Sequence, residues 1–112
     1  MRAETLKGHL DGLLLASLEG GPRHGYAIME VLRTGSGGQF DLPTGTVYPA
    51  LRRLERAGLI QGTWSQAGGR QRRVYDLTPA GRRMLAEERG TWREFSAAVT
   101  ALLQPSPRPV PS

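Results

Sequence analysis

Cysteine is absent from the 112 residues, which excludes disulfides, thiolate metal ligands and thiol nucleophiles. Histidine is scarce: His9 and His24 stand alone, with no pair of carboxylates beside either, so no metal site is expected. No long apolar run occurs either. The densest, Leu13-Leu14-Leu15-Ala16, is bounded by Asp11, Ser17 and Glu19, far too short for a signal-peptide core or a membrane span. A cytoplasmic protein without membrane contact is therefore expected. Catalysis needs a nucleophile, a base and an orienting group converging on one cleft. Here the serines fall mostly in loops or near the C-terminus, no histidine is placed to serve them, and Glu87-Glu88 reads as a solvated helix face. Neither an enzyme nor a cofactor follows from this inventory.

Lysine is the other near-absence, and it points to what is present. Fourteen of the fifteen basic residues are arginine, Lys7 being the exception, and the sequence pI is about 10.7. Eight arginines lie between Arg23 and Arg73 against three acids, Glu30, Asp41 and Glu55, a surplus of five that equals the net charge of the whole chain. The positive field therefore belongs to one segment. A localised basic patch is the electrostatic footprint of a polyanion binder, and guanidinium forks suit phosphate and guanine. GC-rich codons also favour arginine, so the clustering carries the inference rather than the count.

Within that segment, Pro43 to Leu77 reads as a helix followed by a basic hairpin. Val47, Leu51 and Leu54 share one helical face, Arg52, Arg53 and Arg56 fall on the others, and Gly58 ends the helix. Short strands are expected at 59–64 and 73–77, rich in aromatic and β-branched residues, with residues 65–72 as the loop and Gly68-Gly69 its turn. Pro49 fits only near the first helical turn, and Thr44 or Thr46 is the expected cap.

The string Gly45-Thr46-Val47-Tyr48-Pro49-Ala50-Leu51-Arg52-Arg53-Leu54-Glu55, followed by Gly58-Leu59-Ile60, resembles the PadR family of bacterial transcriptional regulators. His24-Gly25-Tyr26, Gly69-Arg70 and Tyr75-x-Leu77-Thr78-x-x-Gly81-Arg82 fit in order and spacing, and the likeness covers roughly residues 6–103. The resemblance implies a winged helix-turn-helix, a C-terminal helix that pairs two subunits, and repression relieved by a small molecule or stress signal.

The expected fold is mainly α with a small β-hairpin: a winged helix-turn-helix over residues 1–77, a dimerisation helix over 78–103 and a disordered Pro-rich tail over 104–112. Ahead of the third, recognition helix, a first helix is expected over 5–19 and a second over 24–33, the latter burying Ile28, Val31 and Leu32. Thr78-Pro79 is a strong start for the fourth helix, a capping hydroxyl followed by proline. Along that helix Leu85, Trp92 and Val99 lie seven apart, with Phe95 and Leu102 at the alternate positions, a coiled-coil-like seam interrupted at Glu88 and weakened by Gly90. The seam could pack within its own chain on the winged domain, but a homodimer is the expectation, because an exposed stripe of this kind would otherwise be a large apolar patch.

The expected DNA-binding residues are Tyr26, Thr44, Thr46, Tyr48, Arg52, Arg53, Arg70 and Arg72. The two tyrosines are expected to donate to phosphates and the two wing arginines to touch phosphate or minor groove. His24 and His9 read as structural hydrogen-bonding residues. Trp92 and Phe95, brought near their copies across a two-fold axis, either simply fill the dimer core or form a candidate effector pocket for a small planar aromatic molecule. The partner expected is double-stranded DNA. A winged helix also serves as a protein-docking or RNA-binding module, but few aromatics are interleaved with the arginines, which weighs against single-stranded RNA.

Overall fold

The computed structural model describes Leu6 and residues 8–105. Among them, four helices and three strands follow in the order α1 (Leu10–Ser17), β1 (Arg23–His24), α2 (Gly25–Gly35), α3 (Thr44–Arg56), β2 (Ile60–Ala67), β3 (Arg70–Leu77) and α4 (Pro79–Leu103). The sheet is antiparallel in the order β1-β3-β2. This is a winged helix-turn-helix with a long helix behind it, as expected.

The core forms where the helical faces meet the root of the sheet. Leu14, Leu15, Leu18, Ile28, Val47, Leu51, Leu54 and Ile60 are all fully buried. The 3.6-residue spacing of the α3 leucines aims them at this one volume, which Ile60 at the start of β2 closes.

Several boundaries differ from the sequence expectation. The expected first helix is interrupted: Leu6 is helical, but Gly8 has φ +88°, a conformation an unbroken right-handed helix does not pass through, and α1 begins at Leu10; residues 5 and 7 of the expected helix lie outside the described residues. The second helix starts one residue later and runs two further, with His24 as its cap, and Val31 is only partly buried. On α3 the cap is Pro43, with no side-chain bond, because its extended backbone (ψ 160°) places Thr44 and Thr46 inside the first turn. Pro49 lies inside α3 rather than in that turn. Its ring faces the i−4 residue, Gly45, which leaves no Cβ to crowd but an unmatched carbonyl.

The hairpin arms are longer than expected. Residues 65–67 and 70–72 pair in the ladder, Ser65 with Arg72 and Ala67 with Arg70, leaving only Gly68-Gly69 as the turn. Both glycines have positive φ (+64° and +77°), which a type I′ turn requires. The strand β1 was not expected; it pairs Arg23 with Tyr75 and His24 with Val74.

One junction fixes α3, the hairpin and α4 together. Gly58 (φ +77°) follows α3, with its N–H on the Glu55 carbonyl and the Leu59 N–H on the Leu54 carbonyl, both at 3.0 Å, a Schellman motif. The Thr78 hydroxyl donates to the Gly58 carbonyl at 2.6 Å and caps α4 by accepting from the Gly81 N–H at 3.0 Å. Gly81 is buried directly on the Leu59 carbonyl, where a Cβ would overlap the oxygen. Gly58 is thus accounted for by its positive φ, Gly81 by close contact and Thr78 by its two hydrogen bonds. The expected tail lies, from residue 106 onward, outside the described residues.

Candidate nucleic-acid interface

The exposed side of α3 is set by where its buried side points. With Val47, Ala50, Leu51 and Leu54 inward, Gly45, Pro49, Arg52 and Arg56 lie opposite, and all four are exposed. Thr44 and Thr46 are exposed in the first turn, and neither hydroxyl has a partner among the described residues.

Tyr48 flanks this face and lies over Gly25 at the start of α2, where a Cβ would run into its ring. Burial, with a smaller contribution from Tyr26, raises the pKa of the Tyr48 hydroxyl, so it remains a donor at neutral pH. Tyr26 is 66% exposed and meets Tyr48 edge-on, centroids 6.4 Å apart. The helix starts of α2 and α3 therefore present two phenols side by side.

The eight arginines divide by partner. Arg53 makes a bidentate pair with Asp11 of α1 at 2.7 and 2.8 Å, and those bonds raise its pKa further. Arg33 pairs with Glu30 at 2.6 Å, and Arg73 pairs with Glu55 while stacking over Trp64 at 5.5 Å. Arg23 donates to the Ser17 carbonyl at 2.8 Å, and Arg72 lies 3.0 Å from the His24 ring nitrogen. Arg52, Arg56 and Arg70 have no ion-pair partner among the described residues.

Arg52 and Arg53 are thus not equivalent, although adjacent. One step turns the helix by about 100°, which carries Arg53 round to α1 and leaves Arg52 on the open face. Arg53 is held by a half-exposed ion pair with Asp11, so its guanidinium is less free for the expected binding role than that of Arg52. Arg56, absent from the expected set, has the free guanidinium. Arg70 and Arg72 share one face of the hairpin, and Trp64 and Arg73 share the other, nearer α3. From Leu59 to Tyr75 there is no acidic residue.

At the other end of the molecule, Leu85 is 4% exposed and belongs to the core of its own chain. It is therefore not available to a dimer seam, a correction to its expected place there. Val99 is partly buried, whereas Trp92, Phe95 and Leu102 are 52%, 53% and 86% exposed. Trp92 and Phe95 do adjoin, with centroids 6.0 Å apart, and His9 meets Trp92 edge-on at 5.3 Å. Both rings line a cavity of about 570 Å³ between α1 and α4, whose wall also includes Leu13, Phe40, Leu85 and Glu88. This hollow exists within one chain; the expected slot was between two. Leu13 and Phe40 could not be associated with it by sequence spacing. Among the described residues no three His, Asp or Glu gather as a metal site, and no helix is long and apolar enough to cross a membrane.

Residues 14–87 match the model of the transcriptional regulator PadR-like family. A transcriptional regulator of Mycobacterium tuberculosis is 39% identical over 77 residues, covering 69% of this chain and 59% of that protein. The crystal structure of a PadR-like transcriptional regulator from Bacillus cereus is 30% identical, covers 93% of this chain and all of its own, and superposes with a TM-score of 0.81. A PadR family regulator from Clostridium difficile is 32% identical, covers 87% of this chain and all of its own, with a TM-score of 0.78.

Proposed function

The chain belongs to the PadR-like family of transcriptional regulators, and from that premise we propose that it is a repressor that binds a palindromic duplex operator as a homodimer. The carrying observation is the exposed face of α3, where Arg52 and Arg56 lie unpaired beside Thr44, Thr46 and Tyr48. The face enters the major groove, and the two α3 helices of a dimer stand about 34 Å apart, one turn of B-DNA. Arg70 and Arg72 on the wing touch the flanking backbone or minor groove, and Tyr26 donates to a phosphate. Trp92, Phe95, Val99 and Leu102 provide the pairing surface on α4.

Release follows from a small planar aromatic effector at Trp92 and Phe95. The hollow between α1 and α4 supports this reading, being mainly apolar, with His9, Glu88 and Arg89 as the polar groups in its wall. A ligand there dissociates DNA only by favouring one spacing of the recognition helices over another.

Titrating the protein against its own promoter fragment and a random duplex across a salt series tests the first part. Tighter binding to the promoter, weakening steeply with salt, is expected. Salt-insensitive binding, or no preference for the promoter, rejects it. For the effector, titration of a planar aromatic in the Trp64→Phe background should quench Trp92 saturably. Quenching without change in promoter affinity would retain the pocket and reject it as the switch.

A further inference from the structure

His24 has two ring nitrogens and both are in contact with donors. Nδ1 is 3.2 Å from the Ala27 backbone N–H, which it caps at the start of α2. Nε2 is 3.0 Å from Nη1 of Arg72 on the wing. A neutral imidazole has one acceptor nitrogen and one N–H, so it satisfies one of these donors and not both.

The helix amide decides which. The Ala27 N–H is fixed by the backbone of α2 and belongs to the first turn, where no carbonyl is available to it. Arg72 is an exposed side chain that hydrates freely if displaced. Nδ1 is therefore the acceptor, and Nε2 carries the proton. That leaves Nε2–H and the Arg72 guanidinium as two donors converging at the surface, with no acceptor between them. Arg72 has no carboxylate partner among the described residues.

We infer that His24 and Arg72 together grip one phosphodiester oxygen of the DNA backbone, a contact that links the start of α2 to the wing. An anionic oxygen accepts from both groups and removes the donor–donor opposition that exists without it. Tyr26, two residues along, is exposed as well. His24 thus has two roles, a cap through Nδ1 and a phosphate donor through Nε2. The inference rests on the duplex-binding reading above and adds a residue to it.

The test uses the full chain and a mixed-sequence duplex of about 30 base pairs at low salt, since backbone contacts are independent of sequence. His24→Asn keeps a capping oxygen but has no group that reaches the Nε2 position. Its melting temperature should stay near wild type while duplex affinity falls about 10-fold, the order expected for a lost hydrogen bond to a charged group. The salt slope should be unchanged, because no cation is lost. Arg72→Ala should reduce that slope by about one phosphate contact. In the double variant the His24 effect should shrink, since both donors serve one oxygen.

Nitrogen-15 spectra of the two histidines supply a readout that survives a failed variant. Nε2 should be protonated in the free protein and should shift on adding duplex. A bare Nε2, or one unmoved by duplex, overturns the inference, as does a His24→Asn protein that binds like wild type. If wild type itself shows no salt-dependent binding, the duplex reading falls as well; if wild type binds and His24→Asn matches it, only the clamp is lost.

Discussion

Around α3 and the root of the hairpin, Val47, Leu51, Leu54 and Ile60 are buried and arginine faces out, whereas the second half of α4 turns Phe95, Leu102 and Leu103 to solvent. Both surfaces are incomplete, but in different senses. Water satisfies an unpaired guanidinium well, so the arginine face is stable alone, and a partner there is selected by charge and geometry. An exposed apolar stripe is favoured to be covered at roughly 25 cal/mol per Å², so its partner is selected by area. The first surface should respond to salt and the second to concentration.

Removing residues 90–112 should expose that difference most strongly. The shortened chain loses Trp92, Phe95, Val99 and Leu102 and should sediment as a monomer. Its operator affinity should drop by about 10²–10⁴, because the second half-site is no longer tethered to the first. A monomeric full-length protein would remove the basis of the contrast. Removing residues 104–112 alone should alter neither property.

Gly25→Ala tests the aromatic flank of the arginine surface. The added Cβ collides with the Tyr48 ring, so a loss of about 1–3 kcal/mol in stability is expected, accompanied by weaker DNA binding. Thermal melts and duplex titration check it, and a silent variant would mean that Tyr48 moves aside without cost.

Arg52→Ala against Arg53→Ala sharpens the comparison within one helix. The first should cost about 1–3 kcal/mol of binding if it reads a base, with stability intact. The second breaks a half-exposed pair with Asp11 and should cost at most about 1 kcal/mol of stability. Equal effects on DNA affinity would erase the distinction drawn between them.

The smallest expected effect lies at the joint between the surfaces. Glu19 receives two hydrogen bonds from Arg89 of α4, at 2.6 and 2.7 Å, and these hold its pKa below the ordinary 4.5. A depressed carboxylate stabilises the fold fully above its unfolded pKa and loses that contribution as pH falls through the folded value. A slight drop in melting temperature below about pH 4.5 is expected, and Glu19→Gln should flatten it.

Helical faces were legible because burial follows a period that the leucines of α3 state outright. Thr78-Pro79 likewise predicted the start of α4 from capping chemistry alone. The longer hairpin arms were not legible, since exposed strands need no apolar residue and Gln66, Gln71 and Arg72 look like loop. Strand β1 is two residues long, too short for any periodicity to register. The ion pair of Arg53 was not legible because its partner, Asp11, is 42 residues away. Leu85 was misassigned because a heptad spacing says which residues share a stripe and not which part of it the chain's own core already occupies. His24 required atomic geometry: its residue type was visible, but the competition for its two nitrogens was not.

The contact of Gly81 on the Leu59 carbonyl, with Thr78 tied to Gly58, has a mechanical consequence. Although the hairpin lies between them in sequence, the end of α3 and the start of α4 are joined directly in space by these contacts, a junction stiff enough to act as a fulcrum. A tilt of about 5° applied along the roughly 37 Å of α4 corresponds to about 3 Å at its tip, close to the ~3.4 Å rise between stacked bases. Carried rigidly to the 13 residues of α3, about 20 Å long, the same 5° moves its far end by about 2 Å, which on the duplex-binding proposal is how a turn of α4 reaches the docking face.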